Sequence, residues 1–335
     1  MGETMTASSI ETRLLTLHAL TFLHPGTGQT TGVVDLPVQR EVHTGFPMIA
    51  SSGLKGSMRE KAEQAVKEKQ GWTEDEVKAV FGPDTQKSAP GAEAAGALIV
   101  TDARILAFPV RSLQQVFVWV TCPMVLNRLA RDLELIGLPN GNVPKQFNID
   151  KEKACPADGT ALNGVLVLEE LGFKLVSDSS QQVAQLADLI QGNDSHAGYA
   201  TSLKELDFKE RLVVIHDEDF QHLVRHATQV SARIKLDEEG KKITSGKGGN
   251  LWYEETLPPE TVMYALLRAE NPRFKDSGLK DSAAVLGKVQ DLFDDKKPNN
   301  KYLQVGGNET VGQGWCQVKL TPSTPPQPRA GDGQP

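Results

Sequence analysis

Apolar residues recur along the chain at two spacings, which points to a protein of mixed α and β elements. Residues 14–22 (LLTLHALTF) alternate in part, and 116–122 (VFVWVTC) are apolar and β-branched, so both are expected as strands. Strands are also expected at 96–106, 165–168, 211–215, 230–236, 250–255, 261–268 and 315–320. Leu54, Met58, Ala62 and Val66 fall four apart, which gives a helix over 54–69 with one apolar face and Lys55 and Arg59 on another. Ser51 or Ser52 is its expected N-cap. Further helices are expected at 72–81, 123–136, 180–190, 217–228 and 283–294.

Glycine, proline and polar residues mark the connections at 24–32, 84–95, 142–164 and 302–314. The Lys- and Gly-rich stretch 237–249 separates two strand-like runs, so a long hairpin with a flexible tip is expected there. Residues 322–335 (PSTPPQPRAGDGQP) hold almost nothing apolar to bury and are expected to be disordered. No repeat and no regular βα rhythm emerges, so the class expected is α+β. The boundaries expected are one domain over 12–320 and a tail over 321–335.

Composition narrows the function classes. The chain has 39% hydrophobic and 24% charged residues, no apolar run of membrane-spanning length, and a polar start unlike a secretory signal. A soluble, cytoplasmic protein without a membrane partner is expected. Its three cysteines lie far apart, which argues against a disulfide framework or zinc site and suggests buried thiols. The seven histidines show no HExxH or HxH spacing. A net charge of −7 is unusual for a nucleic-acid binder. The sum hides local sign, however. Residues 32–61 carry Arg40, Lys55, Arg59 and Lys61 against Asp35, Glu41 and Glu60, whereas 205–220 carry six acids against Lys209 and Arg211. Such a distribution permits a polyanion on one side only.

Three groups could carry chemistry. The loop 305–314 (VGGNETVGQG) has four glycines, which let successive amides face one concavity able to seat a phosphate. A tight turn is the plain alternative, and the lysine of a Walker loop is missing. Lys55 and Arg59 near a helix start could hold phosphate or simply form a solvated face. His24 and Asp35 flank the first glycine-rich loop. An imidazole and a carboxylate can deprotonate a 2′-hydroxyl and protonate a leaving oxygen, or the carboxylate can hold a hydrated divalent ion, though a lone Asp binds Mg2+ weakly.

Several segments, taken in order, carry a resemblance. They are HPGTG at 24–28, GVVDLPVQREVHTGFP at 32–47, SSGLKGSMR at 51–59, TDARILAFPVRS at 101–112, FQHLVRHAT at 220–228, LWYEE at 251–255 and VGGNETVGQGW at 305–315. Together they resemble the backbone RAMP subunit of the type III-B CRISPR effector, the Cmr complex, a Cas7-type protein, over about residues 14–320. The resemblance implies a ferredoxin-like core related to RNA-recognition modules, with inserted lid segments and a protruding β-hairpin thumb at about 230–256. It implies a cytoplasmic subunit that stacks with further copies along a guide crRNA beside other Cmr subunits. There it cuts complementary single-stranded target RNA at regular intervals, beside nucleotides displaced by the thumb, as a metal-dependent endoribonuclease. It puts the catalytic aspartate at Asp35, also the expected ligand of Mg2+ or another divalent cation, with His24, Tyr253 and Glu254 as further catalytic candidates. RNA contacts are expected at Arg40, His43, Ser52, Lys55, Arg59, Gly306, Gly307, Asn308, Gly312 and Gly314. A guide varies in sequence, so contacts to backbone and 2′-hydroxyl groups suit it better than base reading. The alternatives are a guide-binding filament subunit without catalysis and, more remotely, a small-molecule phosphotransferase.

Overall fold

The computed structural model describes residues 11–29, 32–83, 95–138, 143, 147–158, 162–192, 198–235, 250–294 and 300–322. In chain order the elements are β1 (Glu11–Ala19), β2 (Met48–Ile49), α1 (Ser51–Lys67), α2 (Glu74–Phe81), β3 (Leu98–Val100), β4 (Ala103–Arg111), β5 (Phe117–Thr121) and α3 (Pro123–Leu135). Next come β6 (Lys153–Pro156), β7 (Val165–Leu168), β8 (Leu171–Leu175), α4 (Ser180–Gln191), α5 (Phe208–Arg211), β9 (Leu212–Ile215) and α6 (Asp217–His226). The chain closes with β10 (Gln229–Lys235), β11 (Asn250–Thr256), β12 (Val262–Ala269), α7 (Ser282–Asp291), β13 (Tyr302–Gln304) and β14 (Trp315–Pro322).

Two βαβ units, β1-α1-β4 and β12-α7-β14, interleave in the sheet order β14-β1-β12-β4. Strand β1 is antiparallel to both neighbours, with Leu14 opposite Leu266 of β12 and Thr321 of β14. That interleaving of split βαβ units is the ferredoxin-like arrangement, and the fold is α+β. Residues 14–19 of β1 are all buried. A strand covered on both faces has no polar side to show, which is why its alternation in sequence is only partial.

The long segment between β4 and β12 enlarges this core. Strand β5 pairs with β4, β9 runs parallel to β5, and β6, β8 and β7 continue the sheet outward. At its end the chain forms a separate two-stranded hairpin, β10-β11, with Ala232 opposite Tyr253. This is the expected thumb; its tip, 236–249, lies outside the described residues, as does the loop expected at 84–94.

Several expectations need correction. Helix α1 starts at Ser51 with Ala50 as N-cap and no side-chain cap on its own chain neighbours. Instead Asp102, beyond β3, accepts the Ser51 N–H at 2.7 Å. Helix α2 begins at Glu74 rather than residue 72, because Thr73 and Glu76 form a capping box. Strand β6 falls within the stretch read as loop at 142–164, β13 falls within the one at 302–314, and β8 follows β7 unannounced. All three are short, and a strand of three to five residues barely registers as a period. Strand β14 extends to Pro322, with Thr321 paired to Leu14, two residues beyond the strand expected at 315–320. Truncation after Pro322 should therefore leave the melting temperature within about 1 °C, since the remaining composition cannot bury a core. A larger loss in a thermal melt would show that residues 323–335 pack on the domain.

All three cysteines are buried, as expected. Burial pushes the Cys316 thiol up to about 12, so it is an inert core group. Among the described residues no helix is long and apolar enough to cross a membrane.

Candidate RNA-cleaving site

Strand β11 is the rail on which the candidate site is built. The segment after β1 returns alongside it: Leu36 donates its N–H to Tyr253 O at 3.0 Å and accepts the Glu255 N–H at 3.0 Å. That pairing places Asp35 so that its Oδ2 accepts the Tyr253 N–H at 2.7 Å. Two residues along, the Glu255 carbonyl accepts a hydrogen bond from His24 Nδ1 at 2.7 Å. A carbonyl only accepts, so Nδ1 carries the proton and Nε2 of the neutral ring presents a lone pair. Nε2 lies over Gly26, where an added Cβ would stand 2.6 Å from it, so a side chain there would block the nitrogen. Hence Asp35 and His24, eleven positions apart in sequence, are both anchored to one strand, two residues apart.

The glycine-rich loop 305–314 closes the site from the other side. Gly307 N–H and Gly26 N–H both donate to His24 O at 3.0 Å, and Gly314 N–H donates to Phe22 O at 2.8 Å. Gly312 N–H donates to Glu309 O at 2.9 Å. These three loop amides shape the loop and grip the His24 segment rather than opening onto a concavity. Gly306 sits at φ 84°, with His24 O only 2.5 Å from where a Cβ would be, whereas a Cβ on Gly307 would meet its nearest neighbour at 3.4 Å. Gly306→Ala should therefore cost on the order of 1–3 kcal/mol and weaken guide RNA binding, while Gly307→Ala stays within about 0.5 kcal/mol. Equal stability of the two variants in denaturant titrations would refute this reading of the loop.

Carboxylates behind the strand lock the assembly. Glu254 is 3% exposed, and its Oε1 accepts from Asn308 Nδ2 at 2.6 Å and from Arg233 Nη2 at 3.3 Å. The second amide proton of Asn308 goes to Gln313 Oε1 at 3.0 Å, so this side chain ties loop to thumb strand. Glu255, also buried, accepts from Arg40 Nη2 at 2.5 Å, Thr228 Oγ1 at 2.8 Å and Val38 N–H at 3.0 Å. Arg40 further donates to the carbonyls of Gly45 and Val224, which makes it a cross-link. Tyr253, by contrast, is 44% exposed.

The remaining candidates spread outward. Lys55 donates to Leu98 O at 2.7 Å; its burial first, and nearby Arg59 second, hold its pKa below the usual lysine value. Arg59 binds Glu63 at 2.8 Å and the Gly82 carbonyl at 3.1 Å. His43 is exposed beside the Arg128–Glu41 ion pair, and Ser52 is exposed on the first turn of α1. Sequence reasoning missed Glu255, Asn308's role as a tie, and Gln39, which donates to Gly26 O at 2.9 Å and accepts the Ala50 N–H at 2.7 Å. Gln39 thus joins the Asp35 segment to the start of α1. The adjacent glutamates at 254 and 255 were the only sign of a buried acidic pair, and adjacency in a strand normally points two side chains to opposite faces.

As a resident metal site the arrangement is poor. Among the described residues no group of three or more His, Cys, Asp or Glu side chains is placed to share an ion. The carboxylates of Glu254 and Glu255 are already engaged, which leaves Asp35. One carboxylate does not hold Mg2+ against water.

Comparison with known proteins identifies the family. The family model of the RAMP superfamily matches residues 16–317. The chain is 37% identical over 309 residues to the CRISPR system Cmr endoribonuclease Cmr4 of Pyrococcus furiosus, covering 92% of this chain and 95% of that protein. The crystal structure of oligomeric Cmr4 from Pyrococcus furiosus superposes with a TM-score of 0.68 at 31% identity, covering 95% of this chain and all of that one. A chain of the type III-B Cmr-beta complex bound to cognate target RNA gives a TM-score of 0.65 at 22% identity over 92% of this chain and 96% of that one, a likeness of fold. The chain therefore belongs to the RAMP superfamily and, within it, to the Cmr4 family.

Proposed function

We propose that the chain is an endoribonuclease subunit of a type III-B CRISPR effector, stacked in several copies along a guide crRNA and cutting complementary target RNA once per copy. The observation that carries this reading is the attachment of both Asp35 and His24 to β11, through Tyr253 N–H and the Glu255 carbonyl two residues along, at the root of the β10-β11 hairpin. The activity in the name of the Pyrococcus relative supports it. Its partners in this reading are crRNA, single-stranded target RNA, further copies of itself and other Cmr subunits, in the cytoplasm.

Cleavage by the neighbouring 2′-hydroxyl needs that oxygen deprotonated, the phosphate in line and the leaving 5′-oxygen protonated. In this scheme Asp35, with one oxygen anchored by the Tyr253 N–H, positions or deprotonates the 2′-hydroxyl. His24, whose Nδ1 is held by the Glu255 carbonyl, offers Nε2 to carry the proton to the leaving oxygen. Glu254 has a positioning role rather than a chemical one, because its carboxylate is buried and doubly held. The exposed phenol of Tyr253 is free to lie against RNA.

The proposed requirement for a divalent cation belongs to the RNA-loaded state, since the protein side chains alone do not make a metal site, and no step above is routed through the ion. The test uses the assembled complex with end-labelled complementary RNA. Cuts at regular spacing are expected, lost with a chelator and restored by Mg2+ at millimolar levels. The melting temperature of the chain alone should not respond to the same chelator. Binding of target without any cutting, with Mg2+ present, would favour the filament role without catalysis.

A further inference from the structure

A groove of about 580 Å3 lies between α1, the end of α7 and β13. Its lining has no part in the scheme above. Four carboxylates, Glu60, Glu68, Asp291 and Glu309, face it against one lysine, Lys61, whose ammonium donates to Tyr302 O at 2.9 Å. Glu60 and Glu309 are exposed and make no ion pair among the described residues. The aromatic side chains Trp72, Tyr302 and Trp315 complete the wall.

Trp72 adds a second, independent observation. It is 5% exposed, and among the described residues its buried Nε1–H has no acceptor. A buried donor left without a partner costs about 1–3 kcal/mol, so such a group points to an acceptor supplied from outside. Beside it, among the described residues, β13 is the outermost strand of the sheet, paired with β14.

These features select a ligand class. The carboxylates repel phosphate and attract cations, and aromatic rings add to cation binding. The orphan N–H asks for a carbonyl. A sheet-edge strand favours an extended backbone. We propose that this groove docks an extended segment of a different protein carrying lysine or arginine, with its charged side chains on Glu60 and Glu68 and one backbone carbonyl on Trp72 Nε1–H. The proposal does not depend on the nuclease reading, because the groups it uses, Glu60, Glu68 and Trp72, lie outside that site.

The test is fluorescence anisotropy of the full chain with a labelled decapeptide alternating Lys and Thr, beside the same peptide with Glu for Lys. The lysine peptide should bind and the glutamate peptide should not. Glu60→Gln/Glu68→Gln should weaken binding by about tenfold, and Trp72→Phe, which keeps the ring but removes the donor, by several-fold. Glu205→Gln/Glu210→Gln, on a remote acidic stretch, should leave it unchanged. Equal loss in both double variants would mean general attraction to an acidic protein and would overturn the proposal. Absence of binding, an unchanged Trp72→Phe affinity, preferential binding of adenosine or uridine, or self-association of the chain through this groove would overturn it as well.

Discussion

Complexes assembled with Asp35→Asn should bind guide and capture target as before, yet cut at none of the regular positions. The rate should fall on the order of 10²–10⁴-fold, the usual worth of a positioned proton-transfer group. The geometry makes this substitution informative. Asp35 Oδ2 accepts the Tyr253 N–H at 2.7 Å, and an Asn carbonyl oxygen can accept the same bond. The anchor to β11 survives while the negative charge disappears. A purely structural aspartate would thus tolerate the change, whereas Asp35→Ala, which removes the anchor too, should also loosen the 36–40 segment. Near-normal cutting by the Asn variant would sink the nuclease role of Asp35. Loss of assembly would instead show that the charge serves folding, and both outcomes are read from one gel and one binding assay.

Glu255→Ala is expected to produce the largest loss of stability of any single substitution near the site. Its carboxylate joins Arg40, Thr228 and the Val38 N–H, and the two ionic side chains are largely withdrawn from water, at 20% and 8% exposure. Removing one member of a buried ion pair strands the other, at a cost on the order of 3 kcal/mol. For a domain of this size that corresponds to a melting temperature roughly 5 °C lower. Cutting should suffer beyond the loss of folded protein, because the β11 strand that carries Glu255 also holds His24 and Asp35. The double substitution Arg40→Met/Glu255→Leu should recover much of the stability, since apolar groups of similar volume often replace a buried pair without loss. If Glu255→Ala melts like the parent chain, the carboxylate is not the hub described here.

How much of this was legible beforehand depends on the range of the interaction concerned. Helices α1, α3 and α6 announced themselves because helical contacts are local, and four-residue spacing writes them into the sequence. The β10-β11 hairpin was legible for the same reason, two strand-like runs around a Lys- and Gly-rich stretch. The chemistry of His24 and Asp35, and their membership of a known family pattern, were also present in the order of residues. What sequence could not supply was partnership across distance. The N-terminus of α1 is capped by Asp102, fifty-one positions away, so a serine beside the helix looked like the cap when it was not. That the Gly307 and Gly314 amides turn onto His24 O and Phe22 O was likewise invisible before the fold was known. The counter-charge of Arg40 was not legible either, because Glu255 lies 215 positions away and reaches it only through the fold. Residue types and their periods determined which elements form and which groups can do chemistry. Only the tertiary structure decided which of those groups stay available, because burial sets opposite charges and unsatisfied donors against one another, and each must find a partner before any is left for RNA.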